Sequence, residues 1–467
     1  MIYNICIYQF FFVPLPRNIV NSMVRLNYNQ NKMEKKPYIT IKNVGPIKDV
    51  TLPLNKVNVL IGPQSSGKST IAKIISFCSW LEKEMTISQM TVDTDSDFIK
   101  KNLFDYHRVG SYFDENSEVI YEDDYMKFTF SKMKGKTFRG EHFLDSLSHK
   151  TAYIPAERII ASTPGVRSFS LFHSSLQTFL FDWWKMGAIY TKEHAVTIPD
   201  TGVNYFFDEK NNREIVQLAS GKEINISEAS SGLQSLIPMY VYLKYVTEWV
   251  FEHEDLQSFD RSKIYDKAVL RRIMLSDNDG TTEKDVERYI EEKKPDLSLN
   301  SLLTAIRNLR AHGAELDSHM LDIITFADNI LHAHYANIII EEPELNLFPT
   351  TQIEFLYSLL RMFKTDRDMM VITTHSPYML YALNNCMIAY SVKDKLSDPE
   401  LKEAIDFHGE PIDPSSVSVW ELRDGKLVGL SNENQTIQDE KGYIRSNYFN
   451  RIMKNVMSDF SNLMSLQ

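Results

Sequence analysis

Residues 57–70 read VNVLIGPQSSGKST, and our expectation of the fold begins with them. VNVLI, residues 57–61, is a compact apolar run that ends at Gly62, as is typical of a buried strand. Residues 62–70 contain the pattern G-x-x-x-x-G-K-[ST], and the apolar positions from Ile71 to Leu81 recur at helical spacing. The sequence therefore predicts a phosphate-binding loop between a buried strand and a helix.

The residue types in this loop suit a bound triphosphate. Gly62 and Gly67 permit a tight backbone path, so that N–H groups at the helix N-terminus can bind phosphate oxygens. Lys68 would reach the β- and γ-phosphates, and the Ser69 hydroxyl would hold Mg²⁺. We therefore expect ATP and Mg²⁺ as cofactors. The predicted nucleotide-binding residues of the loop are Gly62, Pro63, Gln64, Ser65, Ser66, Gly67, Lys68, Ser69 and Thr70.

Two further motifs follow apolar strands later in the chain. IIIEEPE, residues 338–344, ends in carboxylates, of which Glu341 would orient Mg²⁺ through water and Glu342 would act as general base. An acidic turn after a core strand has the same pattern. TTHSP, residues 373–377, places His375 at a strand end, where it contacts the γ-phosphate or serves a structural role. The predicted catalytic residues are Lys68, Glu342 and His375, and the predicted metal ligands are Ser69 and Glu341.

A fourth motif, SSGLQS at residues 230–235, begins a predicted helix. Small residues at a helix N-terminus can form an anion site. The same residues also suit a plain serine N-cap. Composition alone leaves both interpretations open.

The order of GPQSSGKST, SSGLQS, IIIEEPELNLFP and TTHSP resembles that of ABC-type ATPases, in the branch with the SMC, RecF and OLD (overcoming lysogenisation defect) proteins. Within that branch it resembles the stand-alone AAA family ATPases of bacterial anti-phage systems. ITIKNVGPIKDVTLPL, residues 39–54, and YIPAER, residues 153–158, are similar to theirs too. The resemblance implies a homodimer or higher homo-oligomer that sandwiches ATP, with Ser231 and Gly232 contacting the γ-phosphate bound by the opposite subunit.

The chain departs from the usual ABC pattern at three places. Ser230 and Leu233 stand where the usual signature has Leu and a second Gly, and Glu341 replaces an Asp. These changes preserve the chemistry but are compatible with slow turnover. No glutamine of the family's Q-loop is obvious, and Glu157 and Arg158 are the candidates for that region.

The resemblance implies an ATPase that senses phage or DNA and acts with a separate effector, a nuclease or a toxin. The alternative is a RecF-like repair ATPase that binds DNA directly. A transporter's nucleotide-binding subunit is a third hypothesis, which the EEPE motif and a long arm at 250–330 disfavour. A fused nuclease is not expected, because the tail after His375 contains no D-x-D.

Charge bears on the nucleic-acid hypothesis. The chain of 467 residues has 51 Lys and Arg against 62 Asp and Glu, a formal net charge of −11, which disfavours coating nucleic acid by bulk charge. A basic cluster is either a solvated hairpin tip or a contact to DNA phosphate. Three widely spaced cysteines favour a reducing, cytoplasmic compartment, and we expect no membrane association. The basic cluster comprises Lys132, Lys134, Lys136 and Arg139.

The expected fold class is α/β, a P-loop ABC-ATPase-like core of mixed sheet and flanking helices with helical and hairpin insertions. Residues 2–15 are apolar without a preceding basic residue, so we interpret 1–32 as a non-native leader or a disordered segment. A short amphipathic partner-binding segment is the alternative. The remaining expected divisions are 33–165 as the first core part, 166–229 as an insertion and hairpin, 230–249 as the signature helix, 250–330 as a helical arm or lid, and 331–467 as the second core part.

Individual elements are also predicted along the chain. We expect strands at 38–42 and 48–54, hairpins at 118–130 and 203–225, and a strand over Met387–Val392. Further predicted elements are helices at 352–364 and 446–465 and strands at 338–340, 369–374 and 417–422.

Overall fold

A computed structural model describes residues 36–163, 174–252, 267–269, 271–272, 318–395, 405, 407–429 and 435–466. The predicted leader and most of the predicted arm at 250–330 lie outside these residues. Within the described ranges, no helix is both long enough and apolar enough to cross a bilayer.

The strands form one large sheet and one small one. The strands are β1 (Tyr38–Val44), β2 (Ile47–Pro53), β3 (Val57–Ile61), β4 (Glu118–Glu122), β5 (Met126–Ser131), β6 (Lys134–Arg139), β7 (Lys150–Ile154), β8 (Val196–Ile198), β9 (Val203–Asp208), β10 (Arg213–Gln217), β11 (Glu223–Asn225), β12 (Ala336–Glu341), β13 (Met369–Thr373), β14 (Val417–Arg423) and β15 (Lys426–Leu427). The large sheet has eleven strands in the order β6-β5-β4-β1-β2-β15-β14-β3-β13-β12-β7.

Half of the large sheet is parallel and the other half is mainly antiparallel. Strands β14, β3, β13, β12 and β7 run parallel, with Ile339 in register with both Val371 and Tyr153. Ile338 and Ile340 pack into the core on one face of the sheet, whereas Ile339 packs into the core on the other. Because both faces are covered, β12 and β13 are mainly continuous apolar runs rather than alternating ones.

In the part of the chain that the structure describes, seven longer helices flank the sheets. They are α1 (Lys68–Ser88), α2 (Ser175–Met186), α3 (Ser231–Lys244), α4 (Ser318–Leu331), α5 (Pro349–Met362), α6 (Pro377–Ser391) and α7 (Tyr448–Met464). Helix α1 packs on one face through Ile71, Ile75 and Cys78, and α3, α5 and α6 pack on the other. Shorter helical turns are Ser96–Ile99, Lys100–Asp105, Gly110–Tyr112, Phe143–Asp145, Ala156–Ser162, Lys192–His194, Ile226–Glu228, Tyr245–Trp249, Val250–Glu252 and Pro414–Ser416.

The predicted fold class is confirmed, since the chain forms a mixed sheet with flanking helices and insertions. The predicted strand over Met387–Val392 is wrong, because these residues complete helix α6. Ser376 caps that helix, its hydroxyl oxygen accepting from the Met379 N–H at 3.2 Å, and Pro377 occupies the first turn. The apolar run at 387–389 continues a helical spacing that begins at Met379.

The two predicted hairpins are present but are parts of wider sheets. Strands β4 and β5 pair as expected, and β4 also pairs with β1, so this hairpin extends the large sheet. Strand β6, which the sequence did not predict, lies at the sheet edge. The second hairpin belongs to a separate four-stranded sheet in the order β11-β10-β9-β8.

Candidate functional site

The predicted motifs meet at one edge of the large sheet. Parallel strands end at the same edge, and ligands of α/β proteins bind outside these carboxyl ends. The phosphate loop follows β3, Glu341–Glu344 follow β12, and Thr373–Ser376 follow β13. The segment Pro155–Arg158 follows the neighbouring strand β7. The fold therefore brings together residues that are up to three hundred positions apart in the sequence.

Two glycines set the path of the phosphate loop. Gly62 has φ 146° and Gly67 has φ 102°, a region that residues with a Cβ rarely adopt. A side chain at Gly62 would clash with the carbonyl oxygen of Leu422 on β14, and a Cβ at Gly67 would lie 2.7 Å from Ile47. The glycines therefore allow both the turn and the close packing of the loop against the sheet.

The remaining loop residues differ in exposure. Gln64 and Ser65 are exposed, and Pro63 and Ser69 are half-buried. Ser66 and Thr70 are buried. The first N–H groups of α1 have no acceptor within the helix, so they can bind an anion at this end.

Lys68 folds back onto its own loop. Its ammonium group donates to the carbonyl oxygens of Gly62 at 3.0 Å and Pro63 at 2.8 Å. Burial lowers the pKa of Lys68, while the charges of Glu342 and Glu344 act in the opposite direction. A bound phosphate would replace neutral carbonyl oxygens with charged acceptors, which form stronger hydrogen bonds to a cation.

Glu341 is buried at the end of β12. Its carboxylate accepts a hydrogen bond from the Tyr153 hydroxyl of β7. Burial raises the pKa of Glu341, and the nearby Lys73 of α1 opposes that rise. Lys73 lies one helical turn after Ser69. The Glu341 carboxylate and the Ser69 hydroxyl are therefore both available close to the start of α1. Oxygen ligands of this kind are the ones that Mg²⁺ prefers.

Glu342 and His375 form a pair at the open edge. The Glu342 carboxylate lies 3.8 Å from His375 Nε2, and both side chains are partly exposed. Glu342 has φ 44°, a left-handed conformation that is costly for this residue and is common at functional sites. Its N–H donates to the Thr373 carbonyl at 2.9 Å. Burial and then the charge of Lys68 lower the pKa of His375, while the charge of Glu342 opposes them, and the net effect favours the neutral ring.

Arg158 holds the acidic segment from behind. Its guanidinium is fully buried and donates to the carbonyl oxygens of Glu341 at 2.9 Å, Glu342 at 2.8 Å and Pro343 at 3.2 Å. Sequence reasoning proposed only that Arg158 lies in the Q-loop region. Glu157, the other candidate, is exposed and forms an ion pair with Arg108 at 3.9 Å.

Glu344 is a residue to which sequence reasoning gave no role. Its carboxylate accepts from the Thr374 hydroxyl at 2.9 Å and from the His375 N–H. Burial raises the pKa of Glu344. The only signal in the sequence was a third carboxylate in the EEPE motif, whose partners lie on the next strand.

The SSGLQS segment begins helix α3, and Ser230 and Ser231 are exposed there. The Ser230 hydroxyl accepts from the Leu233 N–H at 3.4 Å, so the N-cap interpretation is satisfied. A Cβ at Gly232 would lie 3.0 Å from the Asn346 carbonyl oxygen, and Asn346 also donates to Ser235 at 2.9 Å. The start of α3 therefore packs on the loop that follows Glu344.

The basic cluster lies far from this edge, on the hairpin of β5 and β6. Lys132, Lys134, Lys136 and Arg139 are exposed. Arg139 also stacks over Phe143, with 5.1 Å between the guanidinium carbon and the ring centroid. Charged side chains on an edge strand also protect a sheet from pairing with other chains.

No family model matches this chain, and no curated protein matches it either. Among solved structures, an SMC head bound to the C-terminal winged-helix domain of ScpA is 10% identical, with 85% of this chain and 98% of that chain covered and a TM-score of 0.35. RecF with a bound ATP analogue is 10% identical over 86% and 100% of the two chains, with a TM-score of 0.26. A dimeric ATP-binding cassette with ADP and phosphate is 11% identical over 84% and 97%, with a TM-score of 0.24. At these identities and TM-scores the similarities carry no argument about function.

Proposed function

We propose that this protein binds ATP with Mg²⁺ and hydrolyses it to ADP and phosphate. The observation that carries the proposal is the convergence of Lys68, Glu342 and His375 at the carboxyl edge of the parallel strands. Glu342 and His375 lie 3.8 Å apart, and the charges of Glu342 and Glu344 oppose the lowering of the Lys68 pKa by burial. In this arrangement Lys68 supplies a cation that can bind phosphate, and Glu342 supplies a carboxylate that can accept a proton from water.

The residues present fit a nucleotide and its metal ion. Gly62 and Gly67 allow the tight path of the loop, and the N–H groups at the N-terminus of α1 can bind an anion. Ser69 and Glu341 would hold Mg²⁺, directly and through water. When bound, the ion supplies positive charge that offsets the charge of the triphosphate.

In the reaction, Glu342 would accept a proton from a water molecule while the oxygen of that water attacks the γ-phosphorus. The bond from that phosphorus to the β,γ-bridging oxygen breaks, and ADP leaves. Lys68 would move from the carbonyls of Gly62 and Pro63 to the phosphates. The neutral His375 would donate a hydrogen bond to the γ-phosphate.

The phosphate-loop assignment is tested with Lys68→Ala. Because the phosphate charge loses its main partner, we expect ATP affinity to fall by about 100-fold or more. Isothermal calorimetry with Mg²⁺ and ATP measures this directly, and Lys134→Ala, an exposed lysine on β6, is the matched control. Unchanged affinity in the Lys68 variant would refute the assignment.

We further propose an ATP-sandwiched homodimer in which Ser231 and Gly232 contact the nucleotide of the opposite copy. The exposure of Ser231 at a helix N-terminus supports this, because the helix end is open to a second chain. Ser231→Arg places a bulky charge there, so ATP should still bind while hydrolysis and ATP-induced compaction are lost.

Mixing Ser231→Arg with Lys68→Ala sharpens that test. A heterodimer keeps one composite site with intact Lys68 and intact Ser231, so hydrolysis should partly recover. If mixing restores no hydrolysis, a single-chain heterodimer in which the two variants are linked distinguishes two causes: ATP sites that the subunits do not share, and shared sites that must act together. Full activity of Ser231→Arg alone contradicts the shared site.

We propose that hydrolysis serves a sensor in anti-phage defence or DNA surveillance that controls a separate nuclease or toxin. The order of the motifs supports this role. The exposed lysines on the β5–β6 hairpin favour the alternative, direct DNA binding as in RecF-like repair. ATP turnover is therefore measured with and without DNA. If DNA stimulates ATP turnover and the double variant Lys134→Glu with Lys136→Glu loses that stimulation, the result supports direct DNA binding. If DNA leaves ATP turnover unchanged, the result supports the sensor role.

A further inference from the structure

Helix α7 is attached to the protein only near its first turn in the described structure. Asn447 caps it, and the Tyr448 N–H donates to the Glu421 carboxylate at 2.9 Å. Arg451 forms an ion pair with the same carboxylate. From Ile452 onwards every residue of the helix is exposed. The anchor fixes the direction of the helix and leaves its sides open.

The exposed part of α7 carries a continuous apolar stripe. Its side chains are between 45% and 67% exposed, and they recur three and four residues apart, which places them on one helix face. The apolar stripe consists of Ile452, Met453, Val456, Met457, Phe460, Leu463 and Met464. With about 200 Å² for a fully exposed large side chain, the stripe exposes roughly 800 Å².

This area is larger than a monomer normally leaves open. The largest apolar patch on a monomeric protein is about 300–600 Å² and is often an interaction site. A stable protein–protein interface buries about 800 Å² on each partner. One stripe covered by an identical stripe would therefore supply a complete interface.

The charge of α7 disfavours a lipid surface as the occupant. Membrane-surface helices have polar faces rich in Lys and Arg. The polar face of α7 is mostly Asn and Ser, and the helix contains three charged residues, Arg451, Lys454 and Asp459. A protein surface is the better match for a face of this kind.

The position of α7 also favours a second copy. Its anchor, Glu421, pairs in register with Ile61, the residue immediately before the phosphate loop. Tyr381 of α6 accepts a hydrogen bond from Asn450 at 2.8 Å, and Tyr378, Tyr381 and Ile388 of α6 are exposed. Helix α7 thus starts at the edge where the nucleotide-bridged second copy is proposed to lie, and further apolar side chains extend the surface at its base.

We infer that the apolar stripe of α7 is a self-association surface, on which α7 of a second copy packs around a two-fold axis. An isologous contact of this kind places the same stripe on both sides. The contact needs no nucleotide, so it goes beyond the proposed ATP-sandwiched dimer and holds when ATP is absent.

Sedimentation without nucleotide tests the inference. The unaltered chain should be dimeric at micromolar concentration. The double variant Met453→Asp with Phe460→Asp should weaken the dimer by at least 100-fold, because the two new carboxylates would be buried in the contact. Both residues are exposed, so folding should be preserved, and thermal unfolding checks this. Ser458→Asp, on the opposite side of α7, is the matched control and should stay dimeric.

A monomeric unaltered chain at every concentration overturns the inference, and the stripe then serves a different protein. Equal effects of the Asp substitutions at the stripe and at Ser458 overturn it too. Repeating the measurement in Lys68→Ala with Mg²⁺ and ATP added separates the two proposals. The α7 contact should persist there, whereas a dimer that requires nucleotide should not form.

Cross-linking gives a geometric test. Val456 lies near the middle of the stripe along the helix, on the face that the partner helix would cover. In a Cys6→Ser background, Val456→Cys should form an interchain disulfide without nucleotide, and Ser458→Cys should not. Equal cross-linking at both positions indicates random collision and contradicts the inference.

Discussion

Two groups of carboxylates illustrate how position decides what a buried acid can do. The first group, Glu341 and Glu344, lies at the carboxyl edge of the sheet beside Glu342. The second is the pair Glu82 and Asp123, buried between α1 and the turn after β4. Burial raises the pKa of the carboxyls in both places.

Their neighbours differ. The edge group lies close to Lys68 and Lys73, and Arg158 binds its backbone. Glu82 instead accepts hydrogen bonds from the hydroxyls of Tyr121 at 3.3 Å and Tyr335 at 3.2 Å, and no residue of that pair is open to solvent. A raised pKa therefore does not identify a reactive carboxylate, whereas cations and an open strand end do.

The largest expected difference is in ATP turnover, between a carboxylate at the sheet edge and one in the buried pair. Glu342→Gln keeps shape and hydrogen bonding but removes the base, so hydrolysis should fall by about 100-fold or more while ATP still binds. Glu82→Gln should leave the rate per folded molecule within about two-fold, since it touches no reacting group. Phosphate release under saturating ATP measures both. An unchanged rate in Glu342→Gln would remove that residue from the mechanism.

A smaller effect is expected from the group behind the edge carboxylates. Arg158→Lys keeps the charge but cannot reach three carbonyl oxygens together, so Glu342 loses its fixed position. We expect kcat to fall about ten-fold with ATP affinity changed by less than three-fold. Ser162→Ala in the same helical turn is the control. Equal losses in affinity and kcat would instead indicate a general structural role.

The smallest effect concerns stability. The pKa of Asp123 is raised from its ordinary 3.8 to about 6, first by burial, so the folded state holds this proton more tightly than the unfolded state. The stability that this proton contributes is complete below pH 4 and is lost as pH rises through about 6. Glu82→Gln removes one of the two acids. Compared with the unaltered chain, the variant should therefore gain a few degrees more in unfolding temperature at pH 8 than at pH 4. Glu84→Gln, in the same helix, should leave the profile unchanged.

The sequence predicted those parts of the site that local pattern determines. The phosphate loop depends on two glycines and a lysine within a few residues, and the acidic motif depends on an apolar run followed by carboxylates. Both are short and have strong positional requirements. The motifs and their order led us to expect Glu341, Glu342 and His375 at the nucleotide, and in the structure the strands that carry them end at the same edge as the phosphate loop.

Other features depend on pairings between distant segments. Arg158 contacts carbonyl oxygens of residues 341–343, and nothing in its own segment specifies that partner. The Glu82–Asp123 pair is created by the packing of α1 on β4. Strand β6 has the polar sequence KGKTFR and was missed because it packs little apolar surface. The apolar residues at 387–389 predicted a strand, but they continue the helix that Ser376 caps.

The buried Glu421 carboxylate has a practical consequence for shortening the chain. Deleting residues from Asn447 onwards would remove Arg451 and the Tyr448 N–H, and leave Arg423 as the remaining described ion-pair partner at 2.7 Å. The buried carboxylate would keep one of its two arginine partners, so its charge would be less well compensated. Strand β14 supports Gly62 through the Leu422 carbonyl. A truncated chain would therefore be altered at its nucleotide loop, and its loss of activity would say nothing about the role of the missing helix.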